Sequence, residues 1–203
     1  MGEDLAIHCA EVSEDEPILV LAHPASGTRF ACDQIRSACG GPKLVLHERI
    51  RPEQWRRGPG VRAVVSYRVW GPAQGRYHHR WLLTREPIRN VYSAAGLYRV
   101  SSKRGMILAK MFGDGLPRGP LWAQIQQLDP LHAAMLSVLR FYQMVDHCGY
   151  TKHFRVEDIA DRSGKTRGTH RPKPASWEEL AGLDNEAADL LRDWSLKFGY
   201  TVA

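Results

Sequence analysis

Ser26, Gly27, Thr28 and Arg29 follow a short apolar run, Ile18, Leu19, Val20 and Leu21, and a His23-Pro24 stop. After them Phe30, Cys32, Ile35, Ala38 and Cys39 recur at helical spacing. Strand, small-residue turn, helix is an arrangement that builds an anion cradle. Unpaired backbone N–H groups point out of a helix N-terminus, and the helix dipole favours negative charge there. Gly27 lets a backbone approach an anion closely, and the Ser26 and Thr28 hydroxyls can donate to its oxygens. An ordinary βα connection has the same outline, so this stretch alone fits both readings. It is not a Walker A loop, which needs Gly-x4-Gly-Lys-Ser/Thr, because no Lys follows Gly27.

A second anion-binding constellation lies at Arg85 and Ser93. Trp81-Leu82-Leu83 reads as a buried strand and Arg85-Glu86-Pro87 as the turn out of it, with Pro at the start of a helix. Ile88, Val91, Tyr92, Ala95 and Leu97 continue at near-helical spacing. Arg85 then sits at the strand's end and Ser93 almost two turns into the helix. Both can reach one anion, the Arg as a planar fork and the Ser as a further donor; the spacing alone leaves this open. The stretch KLVLH predicts another strand that ends at His47-Glu48. Ligands sit outside the C-terminal strand ends of parallel sheets, which sets His47 and Glu48 beside the first loop. A carboxylate becomes a general base near neutral pH when desolvation raises its pKa. Glu48 is the first candidate, then His47, then His78 and His79. The alternative for Glu48 is a strand-end carboxylate paired with Arg49 or Arg51.

Taken together these stretches resemble the sulfotransferase family that uses 3'-phosphoadenosine 5'-phosphosulfate. Pro24, Ser26, Gly27 and Thr28 match its 5'-phosphosulfate loop. Ala25 stands where the family has Lys or Arg, and Arg29 where it has Thr or Ser. Arg85, Pro87 and Ser93 match the family's 3'-phosphate motif in register, about sixty residues after the loop. His47-Glu48, Val65-Ser66-Tyr67, Trp70-Gly71-Pro72 and Arg155-Val156-Glu157-Asp158 are similar to segments of a bacterial branch. The resemblance implies a P-loop NTPase-like sulfotransferase fold and transfer of a sulfuryl group to a hydroxyl or amine of a small-molecule, glycan or lipid acceptor. It implies that Ser26, Gly27, Thr28 and Arg29 hold the 5'-phosphosulfate, that Arg85 and Ser93 hold the 3'-phosphate, and that no metal is needed. The product would be adenosine 3',5'-bisphosphate. A basic loop that covers the 3'-phosphate in the family makes Arg162, Lys165 and Arg167 candidates, against a plain solvated loop over 161–175. The missing base at Ala25 leaves a second outcome, a protein of this fold that binds a bisphosphate nucleotide and transfers weakly or not at all.

The elements expected to position these residues are an α/β set. A mostly parallel central sheet is predicted, with strands near 17–22, 43–47, 62–69, 80–84 and 152–156 and helices on both faces. Helices are expected over 121–128, 130–148, from Ser176, and 185–198 ending at Gly199. One domain of 203 residues is expected, with residues 1–16 as an acidic peripheral segment that offers little to bury and has room for a short strand at Ala6–His8. Composition is that of a globular protein, 43% hydrophobic and 25% charged, with no apolar run long enough to span a bilayer. The N-terminus lacks a signal-peptide layout, and four scattered cysteines read as small core residues, so a reducing, cytoplasmic setting is expected. The net charge of +6 suits an anionic ligand. Nucleic acid is not the expected partner, because the Arg residues are spread out and no nucleic-acid motif occurs.

Overall fold

Apolar runs too short to be buried helices pair side by side. In the computed structural model they are β1 (Ile18–Ala22), β2 (Leu44–His47), β3 (Val61–Ser66), β4 (His79–Thr84) and β5 (Lys152–Arg155). The structure describes residues 5–13, 15–38, 44–47, 61–67, 77–99, 120–159 and 176–202. All pairings are parallel, and the strands lie in the order β2-β3-β1-β4-β5. β1 is central and buried at every residue. Its lack of polar alternation is the pattern of a strand covered on both faces. The expected α/β class with a parallel sheet is what the chain forms. β3 ends at Ser66, short of the expected 69; Trp70, Gly71 and Pro72 lie outside the described residues.

The chain divides into two compact units, Met1–Thr84 with Cys148–Thr169, and Arg85–His147 with His170–Ala203. The first holds the sheet, α1 (Leu5–Ala10) and α2 (Thr28–Ala38). Here the N-terminal expectation is corrected. Residues 6–8 are helix, and the segment buries Leu5, Cys9 and Val12 in one cluster with Ile18, Val20, Ile35, Trp81 and Phe154. Leu5, Cys9 and Val12 are spaced by four and three, a helical stripe that a strand would have split between two faces. Two acids of this segment, Glu11 and Glu16, find partners. Glu16 meets His79 at 3.0 Å, and Glu11 pairs with Lys152, which holds its carboxyl below the usual range.

The second unit is helical among its described residues: α3 (Pro87–Tyr98), α4 (Pro120–Gln127), α5 (Pro130–Cys148), α6 (Trp177–Leu183) and α7 (Asn185–Lys197). Along α5 the residues Leu131, Met135, Val138, Leu139, Tyr142 and Val145 recur at spacings of three and four, and all but the half-buried Leu131 are buried. Tyr142 packs on Phe198, ring centres 4.9 Å apart, and Tyr98 shares a 2.6 Å hydrogen bond with Ser137. Ser176 caps α6 as its spacing predicts, accepting from the Glu179 N–H at 3.1 Å. The Glu179 carboxylate does not return to the cap. It accepts from the Tyr92 hydroxyl at 2.6 Å, and the Tyr92 oxygen takes the Ser176 N–H at 3.1 Å. Burial, then the Glu179 hydrogen bond, push the Tyr92 phenol up to about 12. Gly199, at φ 75°, ends α7 as expected, and its N–H donates to Leu196 O at 2.9 Å.

Between β4 and the edge strand β5, His153 Nε2 lies 2.8 Å from Thr84 Oγ1. Burial and then the Arg155 charge push His153 down to about 4. An unfolded chain takes up this proton near the ordinary histidine value of 6.5, and the folded chain only near 4. The contribution to stability is therefore present above 6.5 and is lost as pH falls toward 4. Urea midpoints are expected to drop across that window, and His153→Gln is expected to flatten that part of the profile.

Candidate functional site

Sheet topology sets where a ligand can sit. The chain leaves β1 through α2 toward β2 on one side of the sheet; after β4 it goes to β5 on the other. The switch point lies between the C-terminal ends of β1 and β4, where open α/β sheets bind ligands. Residues His23–Thr28 follow β1 there, and the chain continues from β4 directly into Arg85.

The loop after β1 is held by its own main chain. The buried His23 donates from Nδ1 to Pro24 O at 2.7 Å. Its carbonyl accepts from the Ser26 N–H at 3.0 Å and from the Ser26 hydroxyl at 2.5 Å. Ala31 N–H donates to Gly27 O at 2.9 Å, which makes Gly27 the cap of α2. Glycine has no side chain to satisfy the first helical donors, so the Thr28 and Arg29 N–H groups have no intrahelical acceptor. Ala25 and Gly27 both adopt left-handed backbone, at φ 70° and 87°. For alanine this costs about 1–2 kcal/mol. A Cβ on Gly27 would lie 3.1 Å from Val156 Cγ2 and 3.3 Å from Cγ1. Val156 is fixed in turn by its N–H, which donates to Thr84 O at 2.8 Å. The close approach that requires glycine is thus made by Val156, inside the protein.

Ser26 is 1% exposed and gives its proton to His23 O, so an anion must compete with that bond for it. Thr28 is buried at the head of α2. Arg29 is exposed, one residue into the helix, and makes no ion pair with any described residue.

In the second unit Arg85 and Ser93 come together. Arg85 Nη1 donates to Ser93 Oγ at 2.8 Å, across eight residues and almost two helical turns. Pro87 starts α3, and Glu86 at its cap gives no side-chain capping bond but pairs with Arg89 at 2.6 Å. Ser93 oxygen accepts from the guanidinium, which leaves its hydroxyl proton without an acceptor among the described residues. Two donors, one of them charged, therefore converge on one spot.

The other candidates fall differently. β3 stands between β1 and β2, so His47 is at the edge strand's end and about 10 Å across the sheet from β1, two strand spacings away. The expectation that it lies beside the loop is corrected by that order. His79 opens β4 in register with Ile18, at the opposite end of the sheet from the loop, and His78 precedes it. Glu48, Arg162, Lys165 and Arg167 lie outside the described residues. Asp158 pairs with Arg155. Sequence reasoning passed over His23, read only as a strand stop, although its carbonyl organises the loop. It also passed over Asn90, whose burial nothing in the helical pattern announces.

No protein-family model, curated protein or solved structure matches the chain. Gly27→Ala is expected to lower the unfolding free energy in urea by about 2 kcal/mol or more, from left-handed strain and the Val156 contact. Adding Val156→Ala should recover the contact part and not the backbone part.

Proposed function

We propose that this chain is a sulfotransferase-type protein that takes 3'-phosphoadenosine 5'-phosphosulfate as donor. The observation that carries the reading is the Arg85–Ser93 contact at 2.8 Å, because these two residues also match the family's 3'-phosphate motif. The α2 N-terminus behind Gly27, at the end of the central strand, supports a 5'-phosphosulfate cradle. In the reaction the acceptor oxygen attacks sulfur, the bond from sulfur to the bridging phosphate oxygen breaks, and adenosine 3',5'-bisphosphate leaves. The acceptor's proton goes to a base, for which Glu48 is the candidate. Charge that grows on the bridging oxygen needs a cation. Arg29 is the proposed one, in place of the base missing at Ala25. Arg162, Lys165 and Arg167 are proposed to cover the 3'-phosphate.

The second reading, a protein that binds the bisphosphate nucleotide without transferring, is favoured by Ala25 itself. No cationic side chain stands at that left-handed position. Position 25 already bears a Cβ at positive φ, so Ala25→Lys adds charge without a new backbone cost.

Calorimetry with adenosine 3',5'-bisphosphate tests the anion site. Arg85→Ala is expected to weaken binding by about 2 kcal/mol, and Ser93→Ala by less; unchanged affinity in both removes the 3'-phosphate assignment. A labelled-sulfate screen of sugars, lipids and phenols then separates enzyme from binder. With an acceptor in hand, Glu48→Gln should keep donor affinity and lose turnover about a hundredfold or more. Arg29→Ala should slow turnover too, and Ala25→Lys in that background should restore part of it.

A further inference from the structure

Asn90 is completely buried in α3, and neither its amide nitrogen nor its amide oxygen has a hydrogen-bond partner among the described residues. Its main chain is satisfied, with N–H donating to Glu86 O at 2.9 Å. Buried polar side chains are nearly always paired, and an unpaired one marks a cost kept for a reason. Leucine has the same branched outline without that cost.

The position of Asn90 supplies a reason. It lies three residues before Ser93, and side chains at that spacing are helix neighbours with Cβ atoms about 5–6 Å apart. Arg85 precedes the helix and reaches Ser93 in the second turn, so it arrives at the helix neighbour of Asn90. The unpaired amide therefore adjoins the two donors that converge at the candidate phosphate site. An amide offers a donor and an acceptor together. A hydroxyl next to the bound phosphate would answer both, and in a ribose 3'-phosphate the 2'-hydroxyl is on the adjacent carbon.

We propose that Asn90 recognises the ribose 2'-hydroxyl beside the 3'-phosphate, and so makes the site selective for ribonucleotides. This rests on the assignment of Arg85 and Ser93 to a 3'-phosphate. Phosphate oxygens that accept from both residues replace the Arg85–Ser93 bond, and the proposal requires that opening this bond exposes the Asn90 amide.

The test compares adenosine 3',5'-bisphosphate with its 2'-deoxy analogue by calorimetry on the full chain. Wild type is expected to prefer the ribonucleotide about tenfold, the scale of one net hydrogen bond with its partner otherwise left unpaired. Asn90→Leu, with Asn90→Ala as the variant that needs no new volume, is expected to bind both nucleotides equally, at the wild-type affinity for the deoxy form. Arg85→Ala is expected to weaken both and keep the preference. Equal wild-type affinities, or a preference that survives in both Asn90 variants, overturn the proposal while Arg85-dependent binding leaves the 3'-phosphate assignment standing. Binding that is absent, or indifferent to Arg85, overturns both.

Discussion

Burial of β1 on both faces and along both edges is the constraint on which the first unit depends. β3 and β4 flank it, so none of its backbone groups is left to solvent along its length. A strand in that position carries no polar side chain, and Ile18–Ala22 carries none. Chemistry is therefore excluded from the strand and concentrated where it ends. The chain must then reverse into α2 in a few residues, against β5's continuation at Val156. Only glycine fits at position 27, and the left-handed backbone at Ala25 is a strain that the surrounding bonds hold in place.

The sheet was legible in the sequence because a parallel core strand announces itself as an unbroken apolar run. Ile18–Leu21 and Trp81–Leu83 are such runs, and Pro, Gly and polar residues punctuate them. Helix ends were legible for the same local reason: Ser176 and Gly199 act within their own turn. Strand order was not legible. Nothing in KLVLH says that β3 would insert between it and β1, because order is decided by which connections fit around the sheet. That is why His47 stands a strand farther from the loop than its place in the chain suggests. The N-terminal helix was missed because six acids crowd its flanks, although Leu5–Ala10 itself carries none. Three buried side chains, Leu5, Cys9 and Val12, outweigh them once they fall on one face.

At the candidate site the legible part was pairwise and local. Arg85 and Ser93 were placed within reach by strand-end and helix geometry, and the structure closes that distance to a hydrogen bond. The illegible part was hydrogen-bond competition. Ser26 has a hydroxyl, but only coordinates reveal that His23's carbonyl already holds its proton. Asn90 is the converse, a polar side chain in a helix whose sequence pattern gives no hint that it is sealed from water.

The bonds around His23 have one more consequence. Most of what shapes the loop is main chain: the His23 and Gly27 carbonyls, the Ser26 and Ala31 N–H groups, and two left-handed φ angles. The residues that would give the loop its charge are side chains at 25 and 29, and they take no part in those bonds. Form and charge are thus written in separate alphabets. A lineage could strip the cradle of its cations, or move them by a few positions, and keep the mould intact. A loop of this kind can pass between catalysis and mere binding without refolding.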